Sequence, residues 1–246
     1  HGRRRPVRLV ILGTGGTSVD ILDTLDDLNR VRGGLRYECV GFLDDDTGRH
    51  GRLVHGYPIL GPLGLAPALD DCLFVNGIGA PGNFWHKAAI IARTGLRPHR
   101  FATIVHPTAT ISRTARLNPG TVVLQHAVVA ANVTIGSHVV VLPTCVVSHD
   151  SVLGDHTCLA GGVCVSGRVV VGESCYLGSN CTIMGDVQIG ERCLVGMGSV
   201  VLRSVPPNSV VVGNPARFLR RTAEGEPVRA LSESEAHRSP LFGRHR

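Results

Sequence analysis

From Val105 to Val201 an aliphatic side chain returns at every sixth position without a gap, through Ile111, Leu117 and Val123 to Ile189 and Val195. Four residues after each of the first sixteen stands Ala, Val, Thr, Ser or Cys, from Ala109 to Ser199. A helical period of 3.6 cannot produce this spacing, and a strand period of 2 explains its parity but not its six-fold column. A hexapeptide coil explains both columns. Each unit is a short strand plus a turn, and three units close one triangular turn. The aliphatic residue points to the axis and the small residue fills the corner. Glycine follows the aliphatic at Gly136, Gly154, Gly172, Gly178, Gly190 and Gly196. These glycines are expected to supply an unusual φ. Sixteen uninterrupted steps make a little over five coils, whose backbone groups pair with the coils above and below.

Before Val105 the pattern changes. Residues 7–13, VRLVILG, form a strand-length apolar run, followed by the glycine turn Gly13-Thr14-Gly15-Gly16. Residues 17–30 repeat apolar positions at helical spacing through Val19, Leu22, Leu25 and Leu28. Further strands are predicted at 37–43 and near 72–78, and a helix at about 83–94. The β-α-β order implies a small parallel sheet. The fold class is therefore a small α/β Rossmann-like domain (residues 1–104) followed by a left-handed parallel β-helix (105–219) and a polar tail (220–246).

Composition agrees with this picture. Aromatic residues are only 4% and glycines number 31, which suits tight turns around a core of small aliphatic side chains. The net charge is +6. Much of it lies near the two ends, without the interleaved aromatics or recognition helix of a nucleic-acid binder. Anionic small molecules are the better partners. No apolar run reaches the ~18 residues of a membrane span, and a cytoplasmic protein with no membrane partner is expected. The eight cysteines form no C-x-x-C pair, and four of them, Cys145, Cys175, Cys181 and Cys193, fit the small corner slot as reduced fillers.

The glycine turn places backbone N–H groups and a helix N-terminus together, a ready site for a pyrophosphate. Asp44 or Asp45, closing the second strand, is positioned to accept from a ribose or sugar hydroxyl. On the coil, His149 is followed by Asp150, and one turn away on either side lie Ala131 and Gly167. Small neighbours leave the imidazole in open space, where it can take a proton while a carboxylate holds its tautomer. His138 and His156, eighteen apart, stack on one face and offer a zinc-hydratase alternative of the β-helix carbonic-anhydrase type. A non-catalytic protein that binds nucleotide sugars is a third reading.

Several segments in order, ILGTGG, GFLDDD, GYPILG, IVHPTATIS, SHDSVLGD and VVGNPARFL, carry a resemblance that spans residues 8 to 219. The chain resembles the NeuD/PglD-like sugar acyltransferases, the sialic-acid O-acetyltransferases and bacillosamine N-acetyltransferases. The resemblance implies acetyl transfer from acetyl-CoA to an amine or hydroxyl of a nucleotide-linked sugar, without a metal. It implies a homotrimer with sites between subunits. His149 matches the family's base and Asp150 the acid beside it. Gly13, Gly15, Gly16, Asp44 and Asp45 match the nucleotide site, and Lys87 the basic residue of the following helix. The acetyl-CoA groove corresponds to Gly161, Gly178, Ser179 and Gly196, with Gly213, Pro215 and Arg217 of the terminal motif. Cys158 stands where the family often has a second histidine near the thioester. The chain also departs from the family at Pro143 and Thr17. Direct transfer is expected, with Cys158 a neutral contact and a backbone N–H near Gly161 or Gly162 stabilising the oxyanion.

Overall fold

The computed structural model describes residues 5–31 and 33–222. The remaining tail, from residue 223 onward, lies outside the described residues.

The buried run at the start of the chain becomes β1 (Val7–Leu12), with Leu9 to Leu12 fully buried. It lies between β2 (Tyr37–Leu43) and β5 (Leu73–Asn76), parallel to both. Helix α1 (Gly16–Val31) starts at the glycine turn and buries Ile21, Leu22 and Leu25. A segment the periodicity did not reveal adds a hairpin, β3 (Leu53–Val54) and β4 (Tyr57–Gly61), which extends the sheet to the order β3-β4-β2-β1-β5. Only β3 runs antiparallel. The predicted helix at 83–94 is shorter than expected: a 3₁₀ turn at Phe84–His86 leads into α2 (Lys87–Ala92).

The hexapeptide region forms two-residue strands, β6 (Ile104–Val105) to β22 (Val200–Val201), each six residues after the last. From β6 to β19 each pairs in parallel with the strand eighteen residues on, as in Val128↔Val146 and Val129↔Val147. Three walls result. Wall I begins with β6 and gains β23 (Ser209–Val212) and β24 (Arg217–Arg221), to reach eight strands. Wall II has six strands and wall III five. From Val123 to Val201 the aliphatic column is at most 2% exposed. Each such side chain contributes roughly 1.5–3 kcal/mol by leaving water. The corner column is equally buried, and its polar members bond back to the chain. Thr121, Ser151 and Thr157 each donate to a carbonyl fifteen residues on, at 2.9–3.0 Å.

One expectation is corrected here. The glycines that follow the inward aliphatics have no positive φ. The left-handed conformation instead belongs to the third residue after each aliphatic from Leu117 to Val195, where His126, Asn132, Asp150, Arg168 and Asp186 have φ of 57–64°. The glycines serve the stacking. A Cβ at Gly154 would lie 2.5 Å from Gly172 C and Glu173 N, and one at Gly178 would lie 2.6 Å from Met197 N. Successive coils approach too closely for any side chain there.

The N-terminal layer covers wall I. Val122, Val140 and Cys158 of that wall share one core with Leu9, Ile11, Ile21 and Phe42. Phe84 packs on Leu194 and Val210. His106 joins Asp27 of α1 at 2.9 Å. Walls II and III keep their outer faces free in this chain, with Val128, Val146, Val152 and Val170 36–42% exposed.

Candidate active site

Three edges run along the prism, and candidate residues read from the sequence fall on them. The edge between walls II and III carries His149 and Asp150. Both stand outward, with side chains 53% and 46% exposed. His149 Nδ1 donates to Asp150 Oδ2 at 2.8 Å, which leaves Nε2 as the acceptor. Asn132, one coil before, donates to the other carboxylate oxygen at 2.9 Å. Hydrogen bonds from His149 and then Asn132 hold the Asp150 carboxyl below the usual carboxylate range. One coil later Arg168 forms a bidentate pair with Asp186 at 2.6 and 2.8 Å. Gly167 lies directly against the imidazole, and a Cβ there would sit 2.7 Å from Nε2 and 2.8 Å from Cε1. The small neighbour foreseen at position 167 is thus the floor on which the ring rests.

A cleft of about 360 Å³ opens at the carboxyl ends of β1, β2 and β5. Gly13, Gly15, Gly16, Asp44 and Asp45 line it together, as the sequence grouped them. The first turn of α1 holds no acidic residue, so its N-terminal amides face the cleft uncompensated. Two lining cations, Arg49 and Arg93, were not anticipated, because neither lies in a motif. Arg93 pairs with Asp45 at 3.1 Å, and Asp45 also accepts from Leu63 N at 2.9 Å. Asp44 accepts from the Thr14 hydroxyl and from Asp46 N. Both carboxylates are therefore held in place, and the cleft sets two cations and the α1 amides beside a fixed acidic rim.

The edge between walls I and II carries Gly161, Gly178, Ser179 and Gly196. Gly162 N is occupied by Pro143 O at 3.0 Å. Gly178 and Gly196 are required by coil stacking, the latter because a Cβ would meet Val212 Cγ1 at 2.7 Å. Pro215 and Arg217 are exposed near the end of the prism, and Gly213 is half-buried beside them.

Lys87 and Cys158 are not in the cleft lining. Lys87 is fully buried and Cys158 is 3% exposed. Lys87 Nζ lies 3.3 Å from Cys158 Sγ, so two residues read as touching different ligands touch each other. Gly79, which lines the cleft, packs over both. His138 and His156 do stack, with ring centroids 5.2 Å apart and 6° between planes, and Phe101 meets His138 edge-on. Among the described residues no group of three or more His, Cys, Asp or Glu is placed to hold a metal ion. Among the described residues no helix is long and apolar enough to cross a membrane.

Residues 168–203 match the bacterial transferase hexapeptide (six repeats) family. No curated protein sequence matches the chain significantly. Solved structures do. A histidine-to-asparagine variant of perosamine N-acetyltransferase from Caulobacter crescentus, in complex with CoA and GDP-perosamine, is 26% identical with a TM-score of 0.74. The match covers 86% of this chain and 96% of that one. The acetyltransferase domain of PglB from Neisseria gonorrhoeae FA1090, in complex with acetyl coenzyme A, is 27% identical with a TM-score of 0.75, covering 87% and 100%. WeeI from Acinetobacter baumannii AYE shares the fold at 23% identity and a TM-score of 0.72, covering 87% and 100%. These neighbours lie in the same hexapeptide-repeat superfamily as the NeuD/PglD-like enzymes, and they bear out the acetyltransferase resemblance read from the sequence.

Proposed function

We propose that this hexapeptide-repeat acetyltransferase moves an acetyl group from acetyl-CoA directly onto the amino group of a nucleotide-linked sugar. The observation that carries the reading is the outward His149–Asp150 pair, its Nε2 free and resting on Gly167. The solved neighbours, which hold CoA and GDP-perosamine or acetyl coenzyme A, support the substrate classes.

The N-terminal layer, read as a Rossmann-like domain over residues 1–104, binds the nucleotide diphosphate in the cleft at α1. Arg49 and Arg93 add cationic charge to the helix amides there. His149 Nε2 removes the proton from the attacking amine, and Asp150 holds the imidazole in the productive tautomer. The thioester lies along the edge between walls I and II of the left-handed coil (105–219), beside Gly161 and Ser179, with Arg217 near the CoA phosphates. Gly162 N already bonds Pro143 O, so Gly161 N is the preferred oxyanion donor. The developing charge passes from amine to oxyanion to thiolate without an acyl-enzyme. Cys158 and Lys87, buried behind Gly79, take no part in transfer.

The topology supports a homotrimer. The cleft belongs to the layer that covers wall I, whereas His149 stands on the edge between walls II and III, the one edge wall I does not share. One chain alone holds these two parts apart. A heterologous three-fold contact brings one copy's cleft to the next copy's imidazole and closes on itself. The exposed valines of walls II and III are the apolar surface such a contact would cover. The test has two arms. Purified protein is given acetyl-CoA with GDP- and UDP-linked amino sugars, and free thiol is followed. His149→Ala chains are then co-expressed with chains carrying Arg93→Glu in the cleft. Sugar-dependent thiol release, lost in each variant and partly restored in the mixture, is the expected result. No amino-sugar-dependent release would overturn the transferase reading, and no restoration would overturn the shared site.

A further inference from the structure

Lys87 is the only lysine in the chain; the other 24 basic residues are arginines. That one amine is fully buried, and its Nζ lies 3.3 Å from the Cys158 thiol, itself 3% exposed. The two residues are 71 positions apart, one at the start of α2 and one on the outer face of wall I. Burial drives the Lys87 pKa down, toward the neutral amine. A guanidinium cannot be neutralised in this way. A neutral amine is a nucleophile, and the sulfur it touches is a thiol, which peroxide can oxidise. Gly79 separates the pair from the cleft by no more than its own backbone, since a Cβ there would overlap Sγ.

We propose that Lys87 and Cys158 are a peroxide-sensitive covalent lock between the N-terminal layer and wall I. A peroxide oxidises the Cys158 thiol to the sulfenic acid and is reduced to water. The Lys87 amine then attacks sulfur, forming an S–N bond, breaking S–O and releasing a second water with one proton from each partner. Where a second equivalent of peroxide first oxidises the Lys87 amine to the hydroxylamine and is reduced to water, the hydroxylamine oxygen attacks the sulfenic sulfur instead, forming S–O–N, breaking the sulfenic S–O bond and releasing water. Backbone nitrogen is known to capture sulfenic acids in the same manner. The surrounding burial excludes bulky thiols, so the adjacent amine is the capturing group. Two equivalents of a thiol reductant reverse the S–N bond, returning amine, thiol and a disulfide.

The bond would draw α2 and Gly79 onto wall I at the cleft floor. Its effect on turnover rests on the function proposed above, whereas its formation does not. The experiment treats the native full-length chain with hydrogen peroxide, blocks remaining thiols after denaturation, and maps peptides by mass. The expected product joins the Lys87 and Cys158 peptides at a mass about 2 Da below their sum, or about 14 Da above it when oxygen is retained. It disappears on treatment with dithiothreitol. Lys87→Met and Cys158→Ser remove it, but the wild-type map is sufficient should either variant fail to fold. Sugar-dependent thiol release is expected to fall with the bridged fraction and to return on reduction. A free Lys87 peptide beside an unmodified, sulfinic or sulfonic Cys158 would overturn the bridge. Bridged protein turning over at the reduced rate would overturn the lock. Reduced protein that never turns over would instead count against the transferase reading, with the mass result standing apart.

Discussion

Replacing Gly167 with alanine separates the geometry of the imidazole from the stability of the prism. Gly167 has no positive φ, so alanine fits its backbone. The substitution removes unfolded-state freedom and is expected to stabilise by about 0.4–1 kcal/mol where no clash intervenes. The clash is with His149 alone: the new methyl would stand 2.7 Å from Nε2, where ordinary contact begins at 3.4 Å. The ring must therefore shift by about 0.7 Å or rotate away, and a misplacement near 1 Å costs on the order of 100-fold in rate. The assay is kcat/KM for acetyl transfer, measured beside thermal unfolding. Turnover should fall roughly 30- to 100-fold, which is about 2–2.7 kcal/mol of lost transition-state stabilisation, while Tm holds or rises. In the His149→Ala background the same alanine should cost nothing more, because the group it displaces is gone. Full activity in Gly167→Ala, or an equal further loss in the double variant, would refute the reasoning.

Gly154→Ala should do the reverse, since its Cβ meets backbone atoms of the next coil at 2.5 Å and nothing there can rotate aside. A loss of about 3 kcal/mol is expected, lowering Tm by roughly 6–12 °C, and an unchanged Tm would contradict the stacking role. Asp150→Asn keeps the bond to Nδ1 but withdraws the charge that favours imidazolium during transfer. The kcat should fall ~10- to 100-fold with little change in KM for acetyl-CoA, readable from initial rates at saturating sugar. Desolvation, followed by the repulsion of His156, presses the His138 pKa to about 4. A neutral buried imidazole confers stability that is fully present above pH 6.5, and this stability is lost as pH falls toward 4. The loss is about 3 kcal/mol by linkage. Urea unfolding at pH 7 and pH 4.5 should therefore show a smaller difference in His138→Asn than in the parent chain, and equal differences would refute it.

The prism was legible because its rule is local and repeats. An inward aliphatic every six residues and a small corner residue four later suffice to define the coil, and pairing across eighteen residues follows from closure. The glycine column was visible but its cause was misread. Close approach of Gly154 to Gly172 is a contact between coils, which spacing along the chain does not announce. The true left-handed slot was hidden for the opposite reason, since His126, Asn132, Asp150 and Arg168 share no residue type. In the N-terminal layer β4 escaped notice because Pro58 interrupts a short run that reads as loop.

The candidate residues divide by the same logic. His149 could be located on its edge by arithmetic, since adding or subtracting one coil gives its neighbours, and the structure places Gly167 against the ring. No such arithmetic links Lys87 to Cys158, because one follows a 3₁₀ turn and the other rides a coil, and only the docking of the layers joins them. The same docking sets the cleft in the layer over wall I, whereas His149 stands on the edge between walls II and III. Wall I is covered, which leaves the opposite edge as the place where an outward base can stand free. On the function proposed above, a chain that binds a nucleotide against its covered wall meets the base of another copy, and closure of the ring completes the site.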